Sequence, residues 1–272
     1  MKKKLTKLSN RSILSVSGKD SEQFLQGIVT CDIKNIRKRS SYGSILTPQG
    51  KLLYDFIISK INNNFLIDTS ESNMDSLIKL LNIYKLRSEV SLDKRDDLSV
   101  FVSMDNKKEN LNAVDPRISE LGTREILDSN NEFFNSDQDS YEKQKINLGI
   151  AEVGSEIKSG ELFPMEANLD YLKGIDFKKG CFIGQEVTSR MYRKGKVKKR
   201  IIAFESKDTF TSNEELVYNN QTIGAVIKKI DDYGLALVKI EKIINPEREK
   251  IKITTKNNDK NVIFIFPDFF SE

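Results

Sequence analysis

The stretch Lys179-Gly180-Cys181-Phe182-Ile183-Gly184-Gln185-Glu186 decides most of what this sequence indicates about fold and chemistry. Glycines stand on both sides of Cys181, so the backbone can turn tightly and approach a ligand closely. Lys178 and Lys179 precede the thiol, and a neighbouring cation favours the thiolate. A helix that begins near Gly184 adds to this preference through its free amides. The stretch predicts a thiolate that binds a metal or attacks an electrophile, and the alternative is a buried structural cysteine in a glycine-flanked turn.

The chain has 272 residues and contains no histidine. This absence excludes Ser-His-Asp and Cys-His mechanisms, the usual zinc sites and imidazole proton shuttles. Acid–base work must therefore fall to Asp, Glu, Lys, Tyr or Cys. The sequence also lacks a Walker-type phosphate loop and a Gly-x-Gly-x-x-Gly fingerprint, so no nucleotide-binding motif is indicated.

Cysteine usage and hydropathy suggest a compartment. The two cysteines allow one disulfide at most, whereas a small secreted scaffold needs several. The basic start of the chain is not followed by the apolar run of a secretory signal, and no apolar stretch approaches the roughly 18 residues of a membrane span. These features predict a soluble cytoplasmic protein that does not act in a membrane.

Helical and strand periodicities alternate along the first 150 residues. Asp20 followed by Gln23 is a helix-start signature, and it predicts a helix over about 21–29. Helical spacing from Asn73 onward predicts a second helix, and a third is expected near 141–150. The predicted strands lie at 44–47, 52–60, 65–69, 90–92 and 98–103, and loops with a short strand or two are expected over 105–139. This mixed order favours an α+β fold.

After Lys199 the residue pattern changes to one of short strand-like runs. Short strand-like runs follow one another at 200–205, 215–218, 222–229, 235–240, 250–254 and 262–266, with turn residues between them. Several short strands at regular spacing predict a small β-barrel or sandwich. We therefore expect an N-terminal region over 1–197, made of two modules that divide near residue 105, and a C-terminal β-barrel over 198–272.

Basic residues cluster at two places, although the net charge of the chain is only +4. One cluster is formed by Lys34, Arg37, Lys38 and Arg39, and seven basic residues lie between Arg190 and Arg200. One interpretation is a solvated basic strand or loop. The other is an anion site, for a phosphate backbone or a polycarboxylate ligand.

Residues 179–186 resemble the K-G-C-[FY]-x-G-Q-E signature of the YgfZ family of folate-binding proteins. The segments 24–30, 46–51, 163–169, 222–224 and 234–237 resemble other parts of the same family in the same order, so the resemblance covers most of the chain. The cysteine motif is highly specific. The resemblance implies the fold of the glycine-cleavage aminomethyltransferase, in which two α+β plaits and a β-barrel surround a central opening of folate size.

The resemblance also implies a function. Members of this family assist the assembly or repair of iron–sulfur clusters in client enzymes, and they depend on tetrahydrofolate and on the motif cysteine. A-type cluster carriers are the implied partners, and any effect on tRNA modification is indirect because the modifying enzymes carry clusters. A cluster normally needs four protein ligands, so a cluster at one cysteine must be transient or shared with a partner.

Site residues follow from the resemblance position by position. Cys181 matches the motif cysteine and is expected to be a cluster ligand or a redox thiol. Glu166 matches a glutamate that binds the pterin, a role that suits a carboxylate because it accepts two hydrogen bonds from the amino-pyrimidine edge. Asp55 falls near the catalytic aspartate of the aminomethyltransferases. Cys31, which follows the first helix, is expected in the core.

Five further residues lie in or beside the motif. Gln185 and Glu186 are expected to orient the loop around the thiol. Arg190, together with Lys178 and Lys179, is expected to meet the glutamyl tail of the folate through its charge.

Two other functions stay open. The first is a tetrahydrofolate-dependent aminomethyltransferase, which would use Asp55 as its carboxylate. The aminomethyltransferases usually place two acidic residues side by side, whereas the neighbour here is Tyr54, and this departure argues against aminomethyl transfer. The second is an RNA-binding protein that uses the basic run from Arg190 to Arg200. Direct nucleic-acid binding is disfavoured, because only Tyr192 offers an aromatic ring for stacking among these basic residues.

Overall fold

Three β-sheets and four α-helices make up the described part of the chain in this computed structural model. The structure describes residues 5–36, 39–104, 113–130, 134–135, 137–195, 197–218, 220–243, 254–255 and 260–266. Within these ranges, no helix is both long and apolar enough to cross a membrane.

The first sheet has five strands and carries two helices on one face. Alternate apolar residues of its strands pack against the apolar sides of both helices, as the period of two in a strand and of 3.6 in a helix requires. The predicted hairpin and both predicted helices are confirmed. In the order of the sheet the strands are β3 (Ser41–Leu46), β4 (Leu52–Ile61), β5 (Asn64–Ser70), β2 (Arg11–Ser17) and β6 (Ser91–Lys94), and the helices are α1 (Ser21–Ile28) and α2 (Met74–Lys85).

The second sheet intertwines the two ends of the N-terminal region. Its order is β8 (Thr123–Asp128), β7 (Leu98–Ser103), β1 (Leu5–Lys7) and β9 (Phe134–Asn135). Strand β1 begins the described chain, yet it pairs antiparallel with β7 and parallel with β9, more than 90 residues later. Helix α3 (Gln138–Asn147) follows this sheet and begins three residues before the predicted start, because the Asp137 side chain accepts the Ser140 amide and caps it.

The third sheet follows residue 198 and has its own apolar core. Its strands, in order, are β14 (Thr254–Thr255), β11 (Glu215–Tyr218), β12 (Gln221–Ile230), β13 (Tyr233–Lys239), β10 (Lys199–Glu205) and β15 (Ile263–Ile265). The predicted strands there are confirmed where they are described, and residues 250–253 of one of them lie outside the described ranges. The α+β class is confirmed, and the domain limits at 197 and 105 stay a prediction.

An irregular segment, residues 148–184, connects the three sheets without forming a helix or strand of its own. Its apolar side chains enter the largest core, which also receives residues from all three sheets. Helix α4 (Gln185–Lys194) follows directly, with Gly184 as its N-cap residue. The cysteine motif therefore lies where this connecting segment ends, and its position depends on the packing of the segment between the sheets.

Candidate functional site

Cys181 is solvent-exposed in the short loop before α4, and this loop ends in a turn at Ile183 and Gly184. The turn is fixed by its neighbours, since Phe182 is buried in the large core and Gly184 has a left-handed backbone with φ 79°. A Cβ atom at Gly184 would lie 2.6 Å from the Thr47 carbonyl oxygen, so only glycine allows this approach to the hairpin turn of the first sheet. The alternative of a buried structural cysteine is therefore wrong for Cys181.

Lys179 points away from the thiol and into the fold. Its ammonium donates hydrogen bonds to the carbonyl oxygens of Val29 at 2.6 Å and Cys31 at 2.9 Å. Burial lowers the pKa of Lys179 from its ordinary value, although the two hydrogen bonds suit the charged form. The sequence places a cation beside the thiol at this position, but the structure uses that cation to join the motif to the end of helix α1. Lys178, by contrast, is exposed.

Two more side chains hold the motif loop. One carboxylate oxygen of Asp176 accepts the backbone amides of Lys178 at 2.7 Å and of Lys179 at 3.1 Å. On the other side, the Gln185 amide lies 3.5 Å from the carbonyl oxygens of Lys179 and Gly180, at the limit of a hydrogen bond. Both ends of the loop that presents Cys181 are therefore fixed.

A cavity of about 570 Å³ opens between the modules. Its walls come from three parts of the chain, within residues 31–42, 114–119 and 171–176. Tyr42 and Tyr171 supply aromatic surface, and Arg39 and Lys173 are exposed cations among the lining residues. Asp176, which holds the motif loop, is also a lining residue. The loop of Cys181 is thus anchored to the wall of this cavity.

Asp55 lies behind the cavity wall and does not line it. Its carboxylate accepts hydrogen bonds from the Tyr42 hydroxyl and from the Val153 amide, both at 2.9 Å. Burial, together with the nearby charge of Glu152, raises the pKa of Asp55 to about 6. The carboxyl of Asp55 can therefore exchange a proton near neutral pH, and Tyr42 links this carboxyl to the cavity through its hydrogen bond.

A network of buried charges lies beneath the same cavity. Arg117, one of the lining residues, donates to Asp115 and Glu152 and to the hydroxyl of Tyr141. Burial by itself raises the pKa of Glu152, but the surrounding Lys and Arg charges bring it well below its ordinary value. The other members of the network are Arg11, Asp68, Arg124, Lys145 and Glu156. Such pairing holds Arg117 rigidly at the floor of the cavity.

This network is not predicted from the sequence, although a signal exists. Asp68 follows the apolar run Phe65-Leu66-Ile67 in β5, and it forms an ion pair of 2.7 Å with Arg11 of the neighbouring strand β2. Arg124 binds the second oxygen of the same carboxylate at 2.6 Å. A charged residue that interrupts an apolar strand indicates a buried partner, because unpaired charges are rarely buried.

The remaining predicted site residues lie apart from the cavity lining. The Glu166 carboxylate accepts the Phe163 amide at 2.8 Å and caps its own turn. Glu186 and Arg190 are exposed on helix α4. Gln185 and Glu186 also line a second, open groove of about 550 Å³ beside the motif.

Cys31 is the opposite of Cys181 in its surroundings. It is buried in the core of the first sheet, and burial raises the pKa of its thiol to about 12. The prediction that Cys31 belongs to the core is confirmed. In the described part of the chain, no group of three or more His, Cys, Asp or Glu side chains is arranged to hold a metal ion.

Comparison with known proteins gives one consistent result. No protein-family model matches the chain. Mitochondrial iron–sulfur cluster assembly factor IBA57 homologues are similar to it in sequence: that of Pyricularia oryzae is 32% identical over 238 residues, which are 80% of this chain and 61% of the relative. The homologue of Neurospora crassa is 34% identical, over 73% of this chain and 52% of the relative. The human IBA57 factor is 26% identical, over 88% of this chain and 78% of the relative. The chain thus spans half to three-fifths of the two fungal relatives.

A solved structure has the same fold. The glycine cleavage system aminomethyltransferase T of Bartonella henselae superimposes with a TM-score of 0.72 at 12% identity, over 97% of this chain and 86% of that one. This similarity confirms the predicted fold class, with its three modules.

The cytoplasmic prediction is wrong by the same comparison, because the relatives are named as mitochondrial proteins. The low number of cysteines argues against a disulfide scaffold, but it does not separate the cytosol from an organelle. The chain has the aminomethyltransferase fold, and it is related in sequence to the iron–sulfur cluster assembly factors.

Proposed function

We propose that this protein assists the assembly of iron–sulfur clusters in client enzymes, and that Cys181 is the thiolate ligand it offers to a passing cluster. The carrying observation is the exposure of Cys181 in a turn fixed on both sides, while Cys31 is buried. The names of the related assembly factors support the same function. The YgfZ signature at residues 179–186 makes the YgfZ type the specific relationship that we propose.

The cluster is the cargo of this reaction. Clusters are normally held by four protein ligands, and this chain offers one exposed cysteine. The other ligands must then come from the protein that brings the cluster, for which an A-type carrier is our proposal. Cys181 completes the ligand set during the transfer, and the cluster leaves with the client enzyme.

The central cavity supports a reduced folate as the bound cofactor. Its volume of about 570 Å³ lies within the usual range of small-molecule sites, roughly 300–1,000 Å³. The partly exposed ring of Tyr171 offers a flat surface for a pterin, and Arg39 and Lys173 offer positive charge for the glutamyl carboxylates. When bound, tetrahydrofolate supplies a carrier for one-carbon units. Tyr42 and Asp55 would hold a proton at the wall beside it.

The pterin ligand can be tested by titration with tetrahydrofolate. Glu166 is the candidate by resemblance, whereas Tyr42 and Tyr171 are the candidates by position in the cavity. Glu166→Gln and Tyr171→Ala are therefore compared with the unchanged protein by calorimetry. Unchanged affinity for tetrahydrofolate in Glu166→Gln would show that Glu166 does not bind the pterin. Unchanged affinity in Tyr171→Ala would show that the cavity is not the folate site.

The cluster function is tested by replacing each cysteine separately. Cells that lack the protein receive Cys181→Ala or Cys31→Ala, and the activity of a cluster-dependent enzyme is measured. We expect Cys181→Ala to lose function with unchanged thermal stability, because the side chain is exposed. Cys31→Ala should retain function once its lower stability is taken into account. Full function in Cys181→Ala contradicts the proposal.

A tetrahydrofolate-dependent aminomethyltransferase is the second candidate. The fold and the raised pKa of Asp55, about 6, favour it, since a general base works best near its operating pH. Tyr54, in the position of the second acid, is buried in the core of the first sheet and adds no carboxylate. Asp55→Asn separates the two functions: it should abolish aminomethyl transfer but leave cluster assembly, which depends on Cys181.

A further inference from the structure

Helix α4 begins four residues after the exposed thiol and carries an unneutralised basic face. Arg190, Arg193 and Lys194 are all exposed, and their spacing of three and four residues puts them on one side of the helix. Among the described residues, no carboxylate lies within ion-pair distance of these three cations. Glu186 is the single acidic residue of the helix. We call Arg190, Arg193 and Lys194 the basic face.

The basic face borders the groove of about 550 Å³ that starts at the motif loop. Arg193 lines this groove together with Gln185, whose side chain reaches the Gly180 carbonyl next to the thiol. The opposite wall is Phe177, whose ring stacks on Tyr192 at a centroid distance of 3.8 Å. The groove itself is lined by both Glu186 and Arg193, and the excess of positive charge beside the motif loop comes from Arg190 and Lys194 on the same helix.

Helix stability does not account for the whole face. Arg193 and Lys194 lie in the last turn, where cations interact favourably with the helix dipole. Arg190 lies in the middle of the helix, where this effect has faded. Exposed cations without partners cost the fold little, but they attract an acidic surface and speed its approach.

We propose that the basic face is the docking surface for a protein with an acidic surface, the same protein that brings the cluster to Cys181. This inference rests on the proposed function, because that function requires a partner whose cluster ligands come close to the thiol. Charge complementarity selects the partner, and the groove along Phe177 and Arg193 fixes its orientation. RNA is a poorer occupant, since Tyr192 is the only aromatic residue of the helix and Phe177 already covers one of its faces.

The test reverses two charges of the face and two charges elsewhere. Arg190→Glu/Arg193→Glu is compared with Lys79→Glu/Arg87→Glu, whose side chains are exposed on and just after α2. Both double variants change the net charge equally. The probe is a purified A-type carrier protein loaded with a [2Fe–2S] cluster, and its dissociation constant is measured over a salt series.

We expect the reversal on the basic face to weaken carrier binding about tenfold at low salt, and the difference to shrink as salt screens the charges. The control variant should bind within about twofold of the unchanged protein. Equal binding by both double variants overturns the proposal. The proposal is also overturned if Arg190→Glu/Arg193→Glu binds the carrier normally but no longer binds poly(U) or tetrahydrofolate polyglutamate. The basic face would then bind those ligands and not the carrier.

A parallel arm with Cys181→Ala separates this inference from the proposed function. If both hold, Cys181→Ala binds the carrier normally and fails to take part in cluster transfer. Normal transfer by Cys181→Ala, with binding still lost on charge reversal, refutes the cluster role of the thiol and keeps the docking surface. Loss of transfer in Cys181→Ala, with no effect of charge reversal on binding, refutes the docking surface alone.

Discussion

Replacing Lys179 by methionine should loosen the loop that presents Cys181. The Lys179 side chain is buried, and its ammonium is hydrogen-bonded to the carbonyl oxygens of Val29 and Cys31 at the cavity wall. Methionine keeps the apolar stem of the side chain and removes both hydrogen bonds. The effect of Lys179→Met should therefore be local, centred on the loop between Asp176 and Gln185.

The size of the effect follows from two opposing contributions. A hydrogen bond to a charged group contributes about 1.5–3 kcal/mol, so the loss of two amounts to about 3–6 kcal/mol. Part of this is offset because the ammonium no longer has to be buried, a cost that the lowered pKa of Lys179 makes visible. We expect the loop to be destabilised by about 2 kcal/mol, which corresponds to about thirtyfold more frequent opening.

Hydrogen exchange measures this opening directly. The amides of Lys178 and Lys179 are protected by Asp176, and they should exchange about thirtyfold faster in Lys179→Met. Lys178→Met is the matched control, because that side chain is exposed and its backbone amide is unchanged. Wild-type exchange rates in Lys179→Met would show that the ammonium does not hold the loop, and equal acceleration in both variants would assign the effect to lost positive charge.

Three further predictions concern the interior. The pKa of Asp55 is about 6 in the folded protein and 3.8 ordinarily, so its contribution to stability is complete below pH 3.8 and is lost as the pH rises through 6. The unchanged protein should therefore be more stable at pH 5 than at pH 8. Asp55→Asn should reduce this difference by about 1 kcal/mol, as measured by urea unfolding at the two pH values. Lys145→Met removes a cation that three buried carboxylates share and should cost about 3 kcal/mol, the low end for a broken buried pair, since Glu152 and Glu156 keep other cations. Lys143→Met, at a half-exposed position on the same helix, should cost under about 0.5 kcal/mol. Gly43→Ala places a Cβ 2.5 Å from the Cys31 sulfur and should lower the free energy of unfolding by about 1–3 kcal/mol. Gly27→Ala on α1 meets open space and should raise the free energy of unfolding by about 0.5 kcal/mol. Thermal unfolding measures both changes.

Local patterns predict the parts of the fold that local forces determine. Helices α1 and α2 and the hairpin of β4 and β5 follow from periodicity and turn residues, because each buries one apolar face. Strand β1 is not predicted, since three residues carry too little pattern. Its partners β7 and β9 lie far along the chain, and only the folded structure brings them beside it.

The candidate site shows the same limit. Its motif is recognisable, and the exposure of Cys181 agrees with a reactive role. The direction of Lys179 is not predictable, because the sequence places the ammonium beside the thiol and only the packing against Val29 turns it inward. The pairing of Asp68 with Arg124 likewise depends on contacts across 56 residues, which no sequence window contains.

Under the proposed function, the two cysteines together explain why a partner is required. Cys31 is buried where the first sheet meets the cavity wall, and burial raises the pKa of its thiol to about 12, so it is a poor second ligand beside Cys181. The buried carboxylates of Asp115 and Glu152 at the cavity floor are already paired with Arg117, so they are not substitute ligands. A cluster at Cys181 must therefore keep the ligands it arrives with, and its carrier must dock within reach of the thiol. The groove beside α4 begins at that position, and the basic face on the same helix has the charge to attract an acidic protein. If the carrier binds on the far side of the first sheet instead, the thiol is out of its reach and Cys181 must act without a shared cluster.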